Sequence, residues 1–415
     1  MYQHDVFLKK MFPLGIRGAT LASKFLLIIF MAKEFSIKDI GVYALVVSGI
    51  SYLGYLLGFD FYTYSSREVV VGSREYKSGK IKNQFSFYFS LYVAVIIITT
   101  FTYYAVGFES KYIYLFCVIL ILEHFSQEVM RLLVIFGMPI LANIQFFVRG
   151  GLWAYLFIIY MLCGNNASLE KLWFFWLFGD LLSLLFIVPI FRIISLSSYL
   201  SSRVDWRWIF RGLKVCMPLL LATLALRGIF TADRYLINTF SNKTDVGAYS
   251  YFSSFSAALM AFVDAGVVVI FYPKLVKYYK NSDLKSFDEC KKKFYKSVII
   301  TGSLVSACLA IIVPLISYYL HKSDLVAHQG VFYVLLLGAF IYCISLVPHF
   351  ELYAKGMDRQ IIVSTVISFL LGLVTMSILG FYFSSYGIAF GQLIAITLMC
   401  YIKHRMVNAV RFSDK

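Results

Sequence analysis

Apolar residues in this chain neither alternate with polar ones nor keep to a narrow helical stripe. They come in continuous runs of roughly 17 to 25 residues, the length that crosses the hydrocarbon core of a bilayer as an α-helix. About twelve such runs occur, beginning near Met11, Ile40, Phe85, Tyr112, Ile140, Leu172, Val215, Val246, Val298, Val331, Ile361 and Tyr386. A transmembrane β-barrel would show short segments with dyad alternation instead. The pattern therefore predicts an all-α polytopic membrane protein with about twelve transmembrane helices. Residues 1–10 are mixed in charge and lead directly into a span-length run, so no cleavable signal peptide is expected.

Composition points the same way. The chain is 60% hydrophobic and 14% charged, with a mean hydropathy of +0.78, whereas soluble domains carry about 25% charged residues. Lys and Arg concentrate in 67–82, 192–214 and 274–296, segments that a twelve-span path places on one side. The positive-inside rule makes that side cytoplasmic and puts both termini there. The net charge of +16 is then mostly topology signal and attraction to anionic lipid headgroups, and nucleic acid is not an expected partner.

The chain also repeats itself. Met11, Phe12, Pro13, Leu14 matches Cys216, Met217, Pro218, Leu219, with the prolines 205 residues apart. Asp39, Ile40, Gly41, Val42, Tyr43 matches Asp245, Val246, Gly247, Ala248, Tyr249 at an offset of 206, and Gly137, Met138 is echoed by Gly356, Met357. Two halves of six spans, 1–200 and 201–415, share one topology and are expected as two six-helix bundles around a central cleft, related by an axis along the membrane normal.

Candidate chemistry is concentrated in 122–153, which carries Glu123, His124, Gln127, Glu128, Arg131 and Arg149 within apolar surroundings. Glu123, Gln127 and Arg131 are successive i, i+4 neighbours on a helix, and His124 is one turn from Glu128. Arg17 and Lys24 are seven apart in the first span, as are Arg227 and Arg234 in the seventh. With Arg149, these five cations would cost on the order of 12 to 17 kcal/mol if they faced lipid, so they are expected to line the cleft and bind an anionic cargo. The alternative for each is a structural salt bridge. Opposite charges are available from Asp180, Glu123, Glu128, Asp233, Asp264 and Glu351. Asp233 directly precedes Arg234, so that pair is not expected to share a face. Arg149 is followed by Gly150 and Gly151, which allow close approach of a headgroup or another helix. The seven cysteines and six histidines are dispersed without ligand spacing, and neither HExxH nor a glycine-rich phosphate loop occurs. No metal site or cofactor is expected.

The run Glu123 to Glu128 followed by Arg131, Leu132, Leu133, then Leu141, Ala142, Asn143 and Arg149 to Trp153, resembles O-antigen flippases of the Wzx type. Gly58 to Tyr62 leading to Arg67 and Glu68, and Asp233, Arg234, Tyr235, are similar too. The resemblance covers nearly the whole chain and implies a member of the multidrug, oligosaccharidyl-lipid and polysaccharide exporter superfamily. It implies a flippase in the bacterial inner membrane, not an enzyme. Its cargo would be an undecaprenyl-pyrophosphate-linked oligosaccharide moved from the cytoplasmic to the periplasmic leaflet by alternating access, with a polysaccharide polymerase as a possible partner.

In that reading Arg17, Lys24, Arg149, Arg227 and Arg234 are the substrate-binding candidates, because Arg forks and Lys charges suit a pyrophosphate. Glu123, Glu128, Asp233, Asp264 and Glu351 are the candidates for coupling to H+ or Na+. Two other classes fit the span count: a membrane polysaccharide polymerase or ligase, for which a large periplasmic loop is expected and not found, and a drug or cation antiporter, which would favour a carboxylate-rich cleft.

The charge distribution makes a direct prediction. Reporters fused after Lys280 and after Lys415 should both read cytoplasmic, and a periplasmic reading at either place would break the two-half topology.

Overall fold

The computed structural model describes residues 2–106 and 113–413. Every element among them is helical: α1 (Tyr2–Glu34), α2 (Ile37–Gly58), α3 (Tyr62–Val69), α4 (Arg74–Val106), α5 (Ile113–Ile135), α6 (Pro139–Phe147), α7 (Trp153–Leu162), α8 (Leu169–Ser183), α9 (Val188–Phe191), α10 (Leu196–Ser201), α11 (Trp206–Ile229), α12 (Ala232–Phe240), α13 (Lys243–Val263), α14 (Val269–Lys280), α15 (Leu284–Tyr319), α16 (Ser323–Ala327), α17 (Gln329–Ala354) and α18 (Asp358–Ser413). π-helical turns at Val148–Leu152 and Asp264–Val268 join α6 to α7 and α13 to α14.

Among the described residues, 11 segments are long and apolar enough to cross a membrane. The last of these is broken at Ser384, whose φ of 52° and ψ of −133° are not helical. Residues 358–383 and 385–409 each exceed the roughly 20 residues a span requires. The expected all-α polytopic protein of about twelve transmembrane helices is thus the observed one. The helices begin earlier than the apolar runs do: α4 starts at Arg74, α11 at Trp206 and α15 at Leu284. Hydropathy marks the slab of lipid, whereas a helix continues past it wherever propensity and capping allow. At α15 the Asp283 carboxylate accepts from the Ser286 amide at 3.0 Å.

The chain forms two compact units, neither continuous in sequence: Met1–Phe30 with Gly49–Leu220, and Met31–Ser48 with Leu221–Lys415. In the first unit, the segment linking the topological halves is fastened to α3 and α4. Arg74 donates to the carbonyls of Arg192, Ile193 and Ile194, and Lys82 to those of Leu200 and Ser202 at 2.8 and 2.6 Å. Asn83 accepts from the Asp205 amide at 3.0 Å, and Glu68 from the Trp208 indole at 2.8 Å. Residues 201–220 therefore belong physically with the first half of the chain, and Pro218 lies inside α11 just before the unit ends.

Residues 31–48 are placed in the second unit by a close helix crossing. A Cβ on Gly41 would collide with the Lys243 carbonyl and stand 3.1 Å from the Gly247 nitrogen. A Cβ on Gly247 would collide with the Ile37 carbonyl and stand 3.0 Å from the Gly41 nitrogen. Ile37 and Lys243 are separated by the same 206 residues as the two glycines, so this contact is a local two-fold between repeated pentapeptides. The caps repeat as well. The Ser36 hydroxyl accepts from the Asp39 amide at 3.1 Å, and the Asn242 side chain accepts from the Asp245 amide at 2.9 Å.

The glycine and methionine echo has the same kind of meaning. Gly137 and Gly356 have φ of 74° and 70°, a left-handed conformation that glycine adopts without steric cost. Met138 and Met357 amides reach back to the Leu133 and Leu352 carbonyls at 2.8 and 2.9 Å, the bond that closes a Schellman turn. The side chains of Met11, Pro13 and Leu14, in the remaining repeat, lie outside the described residues.

Gly41→Ala or Gly247→Ala should each lower stability by about 1 to 3 kcal/mol through overpacking of backbone on backbone. Gly54→Ala, which points into open space, should not. Thermal unfolding of the three purified variants checks this, and equal melting temperatures would show the crossing to be loose.

Candidate functional site

The first unit holds two polar clusters on α5. In one, Glu128 is 1% exposed and accepts from the Gln84 amide at 2.9 Å, the Tyr88 hydroxyl at 3.2 Å and the Arg131 guanidinium. Arg131 in turn lies over the Tyr62 ring at 3.6 Å, a cation–π contact. His124 shares a hydrogen bond with Tyr92 through Nδ1 at 2.6 Å, and its Nε2 is 3.9 Å from Glu128. The i, i+4 stripe expected of Glu123, Gln127 and Arg131 is therefore not one set. Arg131 folds back one turn to Glu128, and Glu123 faces elsewhere.

Glu123 belongs to the second cluster. Its Oε1 accepts from the Trp176 indole at 2.9 Å, and its Oε2 is 3.5 Å from Nε of Arg149. Arg149 also donates to the Glu123 carbonyl at 3.1 Å. The π-turn at Val148–Leu152 presents Arg149 inward, and Gly150 and Gly151 press on α1, where a Cβ at 151 would stand 3.2 Å from Thr20 Cα and from Ser23 Oγ. The two glycines thus serve a helix rather than a headgroup. That close approach brings α1 alongside. Arg17 donates to the Asn143 side chain at 2.7 Å, and Lys24 lies within electrostatic reach of Glu123 and Arg149. Arg17 and Lys24 keep accessible surface, whereas Arg149 is 7% exposed. Asp180 on α8 is wholly buried, and neither of its carboxylate oxygens has a hydrogen-bond partner among the described residues.

In the second unit, Asp233 is saturated. Its Oδ2 accepts from Tyr249 and from Gln392, both at 3.0 Å, and its Oδ1 accepts from the Arg234 amide at 2.7 Å and its guanidinium at 3.1 Å. Adjacent residues were not expected to pair, but the long Arg234 side chain folds back to Asp233. It also reaches the Phe230 carbonyl and, at 2.9 Å, Ser253. Arg227 is accessible, as is Asp264 on its π-turn, and both act electrostatically on Tyr342. Glu351 is far from this chemistry in kind: it is buried and bridged to Lys291 and Lys355, each at 3.2 Å.

The predicted cations thus sort by unit, with Arg17, Lys24 and Arg149 gathered in the first and Arg227 and Arg234 in the second. The first set can offer an anion two accessible charges backed by a third held rigid in an ion pair. Sequence reasoning named Asp180 only as a counter-charge and Asn143 only within the resemblance, and missed Trp176, Gln84, Tyr88 and Tyr92. Polar residues on otherwise apolar helices were the signal for Asn143 and Gln84. The aromatic partners had none, since 18% of the chain is aromatic.

No family model and no curated relative matches the chain. Solved structures do. An inward-facing multidrug resistance MATE family transporter of the MOP superfamily superposes with a TM-score of 0.74 at 13% identity, covering 98% of this chain and 99% of that one. The lipid II flippase MurJ in an inward closed conformation gives 0.72 at 15% identity, covering 96% and 87%. A Vibrio cholerae MATE transporter gives 0.58 at 9% identity, covering 96% and 95%. The chain shares the fold of these proteins.

The Glu128 cluster should behave as a clasp. Glu128→Leu leaves the half-buried Arg131 without its ion-pair partner and should destabilise by about 3 kcal/mol, more than Glu128→Leu with Arg131→Met combined. A double-mutant cycle on thermal stability measures the coupling, and additive effects would show the two side chains to be independent.

Proposed function

We propose that the protein is a transporter of the flippase type that moves an undecaprenyl-pyrophosphate-linked oligosaccharide, an O-antigen repeat unit, from the cytoplasmic to the periplasmic leaflet of the bacterial inner membrane by alternating access. One observation carries the reading: Arg17 and Lys24 remain accessible on a membrane-spanning helix while Arg149 beside them is locked to Glu123. Charge left accessible at that depth needs an anion to offset its desolvation. The Arg17 fork offers paired hydrogen bonds to a phosphate, and Lys24 a point charge. Arg227 supplies accessible positive charge in the second unit, and Arg234, held by Asp233, has the backing role of Arg149. The fold shared with the lipid II flippase MurJ supports a lipid-linked cargo of this kind.

The topological halves 1–200 and 201–415 would be the moving lobes, with 201–220 moving with the first and 31–48 with the second, and with both termini cytoplasmic. Coupling to H+ or Na+ would run through carboxylates still open to exchange. Asp264, which is accessible, and Glu123, which is half-buried, fit that role better than the buried Glu128, Asp233 and Glu351. A polysaccharide polymerase that consumes the product would provide direction without any ion.

A second reading, an antiporter for drugs or organic cations, is favoured by the unpartnered Asp180 carboxyl and by the fold shared with multidrug MATE transporters. The two readings differ in what the cations do. Under the flippase reading, Arg17→Ala and Lys24→Ala should each weaken binding of a lipid-linked pyrophosphoryl oligosaccharide by about tenfold or more at unchanged melting temperature, and Arg17→Lys should recover part of the loss. Arg149→Ala should lose both affinity and stability. Unchanged affinity in the Arg17 and Lys24 variants, with Asp180→Asn abolishing uptake of an organic cation into vesicles, would replace the flippase by the antiporter.

A further inference from the structure

The repeated aspartates differ in what they hold. Asp39 accepts at 2.6 Å from the Ser36 hydroxyl at its own helix start, whereas its counterpart Asp245 meets three other elements of the second unit. Its Oδ2 accepts from the Ser241 hydroxyl at the end of α12 and, at 3.5 Å, from Ser384 in the break of α18. Its Oδ1 stands 3.4 Å from Nε2 of His328, between α16 and α17. The Tyr386 hydroxyl adds a further tie, from α18 to the Ala327 carbonyl at 3.3 Å. Here α13 and α17 begin and α15 ends, opposite the cation-rich 274–296 segment and on the face that the charge distribution predicts to be periplasmic.

His328 is bound so that one protonation state completes the pair. Its Nδ1 is 2.7 Å from the Asp324 carbonyl, which can only accept, so Nδ1 carries a hydrogen and donates it. In a neutral ring Nε2 would then turn a lone pair toward the Asp245 carboxylate, acceptor against acceptor. With Nε2 protonated as well, an imidazolium faces a carboxylate, the stronger charge-assisted arrangement. Histidine gains and loses that second proton between about pH 5 and 8. The other charges at this end are placed differently. Lys322 reaches the Phe35 carbonyl at 3.5 Å, Lys33 stands 3.6 Å from Glu34, and Lys38, Lys243, His321 and Asp324 are exposed.

We propose that His328 and Asp245 form a proton-operated latch that holds α13, the α16–α17 junction and the break of α18 together in acid and releases them as the pH rises. The sign follows from the pair itself: its contribution is present while Nε2 is protonated and is lost when that proton leaves. Ser384 makes the release matter. Its φ of 52° and ψ of −133° are sparsely populated by residues with a side chain, and such a backbone persists only where its surroundings hold it. The latch rests on these contacts and not on the identity of any cargo.

Hydrogen exchange of the purified full-length protein in nanodiscs tests this, read by mass spectrometry at about pH 5.5 and about pH 8 and corrected for the intrinsic exchange rate. In the wild type, peptides covering 320–330 and 380–388 should exchange about fivefold faster at the higher pH, the effect of losing one partly exposed ion pair. His328→Gln and Asp245→Asn, which leave no pair of charges, should exchange equally at both. The helix cap survives in the latter, because Asn242 accepts from the backbone amide of residue 245. His328→Lys, charged at both, should stay protected at both, and it gives a reading even where His328→Gln does not fold. His321→Asn, at an exposed histidine of the same end, should keep the wild-type dependence. Exchange independent of pH in the wild type would overturn the proposal, as would a dependence that persists in His328→Gln or His328→Lys, or one that disappears in His321→Asn.

Discussion

A charged or hydrogen-bonding group at hydrocarbon depth finds no water to satisfy it, so each must be given a partner by the chain itself. That constraint shapes both units. Glu128 takes three donors, Asp233 takes donors from three residues, and Arg149 spends its guanidinium on the side chain and the carbonyl of one residue. Each acid is held by groups from more than one helix, so the same bonds that hide the charge also fix helix positions. Gln84, Tyr88 and Tyr92 tie α4 to α5 in this way, and Gln392 and Tyr249 tie α18 and α13 to α12. Such clasps are weak evidence for net stability, since a well-packed apolar substitute of the same shape does as well or better. Their stronger effect is to favour the one arrangement in which Glu128, Asp233 and Arg149 keep their partners.

The glycine crossing meets the complementary demand. Helices in lipid gain little from burying apolar surface against each other, because lipid tails are equally apolar, and so they depend on close contact. Gly41 and Gly247 bring two backbones together with no room for a methyl group. The capped helix starts at Ser36 and Asn242 set the same register on each side. The repeated pentapeptide is thus not a relic of composition: its glycine makes the contact, its apolar Ile40 and Val246 are fully buried, and its aspartate amide receives the cap.

How much of this was legible depended on the length scale of the signal. Span number and helix type follow from runs of apolar residues, and they were readable because a bilayer imposes one length on all of them. The repeat was readable because glycine and proline have backbone meanings that composition does not dilute. Pairing was another matter. Spacing along one helix linked His124 to Glu128 correctly but assigned Arg131 to the wrong neighbours, because a long side chain can reach one turn back as easily as along a stripe. Successive side chains leave a helix in different directions, yet the long, flexible Arg234 side chain folds back so that its guanidinium joins its own backbone amide on the Asp233 carboxylate. Partners from other helices, such as Trp176 for Glu123 and Gln392 for Asp233, have no trace in local sequence at all.

The same reasoning ranks the cations. An arginine that is buried and paired, like Arg149, has little left to offer a ligand directly, and its value is positional. It fixes Glu123, keeps a positive field at the π-turn and backs the accessible Arg17 and Lys24 on α1. The π-turn itself bears on this, because one extra residue in a helical turn reorients the side chains that follow. It lets Arg149 face Glu123 while Gly151 meets Thr20 and Ser23. Asp264 stands on the other π-turn, in the second unit, and keeps accessible surface. In each unit, then, a residue singled out for its charge sits where the helix departs from regularity. Such departures are seldom kept without a reason in packing or in chemistry, and at residues 148–152 the packing reason is visible in the contact with α1.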